Sequence, residues 1–172
     1  MIALPNYADI NGRPMKKLQI QQYLRKLQLN DFEPAVNLAT LTKLQDAHLK
    51  YIPYENFDCL NGKITSLKRH DMFNKVIMHN RGGICFELNG LYNWLLESLG
   101  FDVTSYSARF IDKMETYQLR RHRVMCVALG EKRYLTDVGE IPYESVGSDS
   151  ADEQHNQCKD FVQGLKDPFI SK

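Results

Sequence analysis

The spacing of apolar residues changes character once along this chain, near residue 101, and no other feature limits the fold as strongly. Before that point the spacing is helical. Ile20, Leu24 and Leu27 recur at i, i+4 and i+7 within residues 16–27, which makes one face of an amphipathic helix. Leu38, Leu41 and Leu44 repeat at intervals of three up to about His48, and Pro34 suits the first turn of that second helix. A third helix is expected over residues 71–78, capped by Asp71 and stopped by Arg81-Gly82-Gly83. The clearest covers 85–99, with Leu88, Leu91, Leu95 and Leu99 on one stripe and Gly100 as its stop. Beyond 101 the runs 103–110, 121–129 and 133–138 are β-branched and aromatic, separated by polar or glycine-containing turns.

Helices followed by strands, without alternation, predict an α+β fold with an antiparallel sheet. Residues 1–100 are expected to form a helical bundle, 101–139 the strands, and 140–172 a polar tail without periodicity. At 172 residues this is one domain's worth of chain. A 43% hydrophobic content is enough for a core. The 22 Lys and Arg against 21 Asp and Glu leave a net charge of +1, spread without a basic cluster, so nucleic acid is not expected as a partner. No basic segment leads into an apolar one at the start, and every apolar run is interrupted early. The expectation is a soluble cytoplasmic protein without a membrane segment. Cys59, Cys85, Cys126 and Cys158 form no C-x-x-C pair, which predicts neither a zinc site nor a disulfide framework.

Three residues can carry chemistry. Cys85 directly follows the Arg81-Gly82-Gly83-Ile84 turn at a helix start, where unpaired N–H groups and the positive end of the macrodipole favour a thiolate. The alternative is a buried cysteine with a purely structural role. His122 and Asp137 lie on consecutive strands joined through Gly130-Glu131, which suits a type II′ turn. That turn pairs residues whose numbers sum to 261, so Asp137 falls opposite Val124 and diagonal to His122 on the same face. Asp137 can then hold one imidazole nitrogen of His122 while the other takes a proton from Cys85. The alternative is a half-exposed strand histidine and an aspartate that closes a strand.

The run Arg81-Gly82-Gly83-Ile84-Cys85-Phe86-Glu87-Leu88-Asn89 closely resembles the R-G-G-x-C-F-E-x-N signature of the arylamine N-acetyltransferases. Ile52-Pro53-Tyr54-Glu55-Asn56-Phe57 resembles that family's I-P-F-E-N segment, and His122-Arg123-Val124 and Tyr134-Leu135-Thr136-Asp137-Val138-Gly139 resemble its histidine and aspartate segments. The order and the separations, 37 residues from Cys85 to His122 and 15 from His122 to Asp137, agree as well. The resemblance implies a cysteine-protease-like catalytic triad of Cys85, His122 and Asp137. Cys85 would take an acetyl group from acetyl-coenzyme A as co-substrate, with no metal, and an arylamine, arylhydroxylamine or hydrazine, often a xenobiotic compound, would receive it. Arg81, Glu55 and Asn89 would support the site by ion pairing and turn capping.

The chain departs from the family pattern after Gly139. An aromatic residue expected at the acceptor pocket is replaced by Glu140, and residues 140–172 do not resemble the family's remaining barrel strands or its C-terminal lid. The reading is therefore a C-terminally shortened member with an incomplete antiparallel barrel. Its uncovered sheet predicts marginal stability and self-association. An inactive homologue and an acetyl-coenzyme A thiol hydrolase are the alternatives to a working transferase.

Overall fold

The computed structural model describes residues 2–3, 13–108 and 121–139. The expected strand end at Phe110, the Glu140 position, Cys158 and the 140–172 tail lie outside the described residues. Helices come first: α1 (Lys17–Lys26), α2 (Leu38–Tyr51), the single turn α3 (Phe57–Leu60), α4 (Arg69–Phe73) and α5 (Cys85–Ser98). The strands are β1 (Ile2–Ala3), β2 (Asp102–Ala108), β3 (His122–Leu129) and β4 (Lys132–Thr136). They form one antiparallel sheet in the order β1-β2-β3-β4. The two residues of β1 pair with Ser107 and Tyr106, so the N-terminal segment contributes to the sheet as well as to the helices. The architecture is α+β.

Two helix starts differ from the sequence expectation. α2 begins at Leu38 and not at Pro34, because the side chain of Asn37 accepts the Thr40 N–H at 2.8 Å and supplies the cap. It runs on to Tyr51, and Ile52 turns extended (φ −122°, ψ 110°) under the constraint of Pro53. α4 begins at Arg69, two residues ahead of the expected Asp71 cap. Asp71 sits inside the first turn and accepts a hydrogen bond from the Ser66 hydroxyl at 2.6 Å. From Asn74 to Met78 this helix continues as a π-helical turn, with the His79 N–H donating to the Asn74 carbonyl at 2.8 Å.

α5 is the centre of the molecule. Of its 14 residues, 11 are buried, because it lies against β2 and β3 on one side and α4 on the other. Leu88, Leu91 and Leu95 are fully covered, and so are Tyr92 and Leu96; each contributes about 1.5–3 kcal/mol of apolar burial. Leu99 falls outside the helix as its C-terminal cap residue and packs at the edge of the core. On the sheet, Met125 pairs with Thr136, Cys126 with Leu135 and Val127 with Tyr134, so every pair sums to 261. Gly130 has φ +64° and Glu131 has no positive φ, the type II′ combination.

Candidate active site

Cys85 opens α5 at the end of a turn pinned from outside. Tyr54 bridges to Gly83 in parallel fashion, and the Glu55 N–H donates to the Gly83 carbonyl at 3.0 Å. Arg81 donates from Nε to Glu55 Oε1 at 2.7 Å, with a second guanidinium nitrogen 2.6 Å away. The two segments approach so closely that a Cβ on Gly82 would lie 2.0 Å from the Pro53 carbonyl oxygen, which only glycine avoids. Cys85 is 9% exposed, and its Sγ lies 3.6 Å from the Arg121 carbonyl oxygen, to which the thiol donates.

The β3–β4 hairpin brings the other two residues to this point. His122 is the first residue of β3, and Asp137 follows the last ladder pair, Met125 with Thr136. His122 Nε2 and Asp137 Oδ2 are hydrogen bonded. The same imidazole interacts with the Cys85 side chain. Asp137 Oδ1 accepts from Asn89 Nδ2 at 2.7 Å and from the Gly139 N–H at 2.9 Å. Asn89, one turn along α5 from Cys85, also donates to the Arg123 carbonyl at 2.6 Å and accepts the Val138 N–H at 2.8 Å. A Cβ on Gly139 would sit 2.6 Å from the Cys85 Cα, so the aspartate segment passes directly against Cys85.

The electrostatics follow from this geometry. Burial disfavours the charged form of His122, but the hydrogen bonds and charges of Asp137 and Cys85 outweigh it, and its pKa is pushed up to about 10. The imidazole is thus a proton holder at neutral pH. Held by a carboxylate and set beside the sulfur, it can keep the thiol's proton and hand it on.

Around this trio the structure adds residues that sequence spacing did not single out. Glu87 Oε2 accepts the Ile84 N–H at 3.0 Å, and Lys75 donates to both Glu87 oxygens at 2.9 and 3.0 Å. Asp58 joins Lys75 at 2.9 Å and Arg81 at 3.2 Å. Asn89 is a direct partner of Asp137, where turn capping was expected. Beside the trio a cavity of about 310 Å³ is lined by the α2 C-terminus, Ile52, Pro53, Tyr54 and Val138. Burial, then the neighbouring Cys85 and Cys59, hold the Tyr54 hydroxyl above its ordinary pKa. Among the described residues no three His, Cys, Asp or Glu side chains are grouped to hold a metal ion. No helix among them is long and apolar enough to cross a membrane.

A family model described as N-acetyltransferase matches residues 37–162. An arylamine N-acetyltransferase of Mycolicibacterium smegmatis is 38% identical over 123 residues, 68% of this chain and 44% of that protein. The chain belongs to the arylamine N-acetyltransferase family. A further relative, the proansamycin X synthase of Amycolatopsis mediterranei, is 34% identical over 131 residues, 73% of this chain and 49% of that one. Among solved structures, the arylamine N-acetyltransferase of Salmonella typhimurium superposes with a TM-score of 0.68 at 31% identity, covering 73% of this chain and 45% of that chain. The chain spans less than half the length of these relatives. Relatives of similar identity to this chain carry different names.

Proposed function

We propose that this protein transfers an acetyl group from acetyl-coenzyme A to an arylamine, arylhydroxylamine or hydrazine through an acetylated Cys85. The observation that carries the reading is the His122 imidazole held between Asp137 and Cys85 at the start of α5. With the proton of the thiol already resting on His122, the Cys85 sulfur attacks the thioester carbonyl carbon. The bond from that carbon to the coenzyme A sulfur breaks, and His122 returns the proton to the departing thiolate. Acetyl-Cys85 remains. The amine nitrogen then attacks the same carbonyl and loses its proton to His122, the bond to Cys85 breaks, and the amide leaves. Both half-reactions pass through a tetrahedral oxyanion, which the Cys85 backbone N–H at the α5 start stabilises. Asp137 keeps the imidazole oriented throughout.

The cavity at Ile52, Pro53 and Tyr54 offers an apolar wall for an aromatic acceptor. The reading needs no metal and no nucleic acid. It places the protein in the cytoplasm, where a thiol such as Cys85 stays reduced. Release of coenzyme A, followed with a thiol reagent, tests it. Release that requires an arylamine or hydrazine fits the transferase, and equal release without any amine would make the protein a thioester hydrolase. No release from folded protein would mark an inactive homologue.

A further inference from the structure

The π-helical turn Asn74–Met78 has no part in the chemistry just described, yet it delivers a single cation to the floor of the site. An extra residue in the turn changes the direction of the side chains that follow. From this turn Lys75 reaches Glu87 Oε1 and Oε2 at 2.9 and 3.0 Å and Asp58 Oδ2 at 2.9 Å. Glu87 is only 2% exposed, and a carboxylate buried this deeply needs a partner. Its Oε2 also accepts the N–H of Ile84, the residue immediately before Cys85.

We propose that Lys75 is a positioning residue for Cys85: by neutralising Glu87 it keeps the Ile84 turn in place and keeps the α5 start receptive to a thiolate. The inference rests on the reading of Cys85 as the acetyl carrier. The charges around it are few. Glu55, Asp58 and Glu87 face Lys75, Arg81 and the exposed Lys63, which lies 3.8 Å from Asp58, three carboxylates against three cations. Without Lys75 the group carries one uncompensated negative charge, centred on a carboxylate two residues from Cys85. On the sheet side the thiol faces His122, itself paired with Asp137, and Tyr54 lies on the α2–α3 connection. A like charge added next to a thiolate raises its energy.

The test is the alkylation rate of Cys85 by iodoacetamide at neutral pH, read by intact mass and by the ultraviolet absorbance of the thiolate. Lys75→Met is expected to slow alkylation roughly tenfold, and Lys75→Arg to stay within about threefold of the original chain. The double variant Lys75→Met/Glu87→Gln removes the unpaired charge and keeps an oxygen for the Ile84 N–H, so its rate should recover. Glu87→Gln alone, which leaves Lys75 on Asp58, should react at or above the original rate. Unchanged alkylation in Lys75→Met would overturn the proposal. A double variant as slow as Lys75→Met would equally do so, since the lysine would then act through its packing alone. A slow Glu87→Gln counts against it even if Lys75→Met fails to fold. If alkylation follows these expectations but acetyl-coenzyme A leaves no adduct on the original chain, the transferase reading fails and the role of Lys75 stands.

Discussion

Asn89 shows how much of the site depends on one side chain. Its amide holds Asp137 and the Arg123 carbonyl, and its carbonyl holds the Val138 N–H, so α5 and both ends of the hairpin meet at a single residue. Asn89→Ala frees Asp137 without touching the thiol. Acetyl transfer should then fall about 10–100-fold in kcat, with KM for acetyl-coenzyme A little changed in steady-state assays. His122→Gln removes the proton carrier and should cost about 10²–10⁴-fold; a loss below tenfold would show that His122 is not the base. The raised pKa of His122 also sets a pH dependence. Because the folded value, about 10, exceeds the ordinary one of about 6.5, the stability this group contributes is complete below 6.5. It drains as pH rises through 10. Melting temperatures between pH 7 and pH 10 should therefore fall more steeply for the original chain than for His122→Gln.

At the level of helices and strands, α2 carries a second titrating histidine with the opposite sign. His48 is fully buried, tilted between the rings of Tyr23 on α1 and Tyr92 on α5. Burial, and then the charge of Lys26, lower its pKa to about 3. The unfolded chain takes up a proton near pH 6.5 that the folded one refuses, so stability present above 6.5 is lost as pH falls. Between pH 7 and pH 5 this amounts to about 2 kcal/mol, and urea unfolding of His48→Phe should lack that part of the slope. Leu91→Ala in the middle of α5 should cost about 2–5 kcal/mol. What could be read from the sequence follows the range of the interactions. The hairpin register followed from two turn residues, and the helix starting at Cys85 from leucine spacing and Gly100. The α2 start was misplaced because the Asn37 side chain outcompetes Pro34 as a start signal. Lys75 was invisible: its partners lie 12 and 17 positions away, and nothing local announces a π-helical turn.

On the scale of the whole molecule, the described sheet ends at β4, which pairs with β3 on one side, and Phe57, Leu60 and Ile64 stand in solvent at 62, 73 and 99% exposure. Apolar side chains in water are routes to association. Sedimentation velocity is therefore expected to show concentration-dependent self-association, and a single monomeric species over the accessible range would refute it. None of this alters the local arrangement at the site, where α5 and the hairpin are locked together through Asn89 and Gly139. The most direct measurement is the intact mass of the protein after incubation with acetyl-coenzyme A, before and after addition of an arylamine. A gain of about 42 Da, the mass of one acetyl group on a nucleophile, that is absent in Cys85→Ala and disappears with the amine is the expected result. A folded protein that stays unmodified, or one whose Cys85→Ala variant gains the same mass, would contradict acetyl transfer through Cys85.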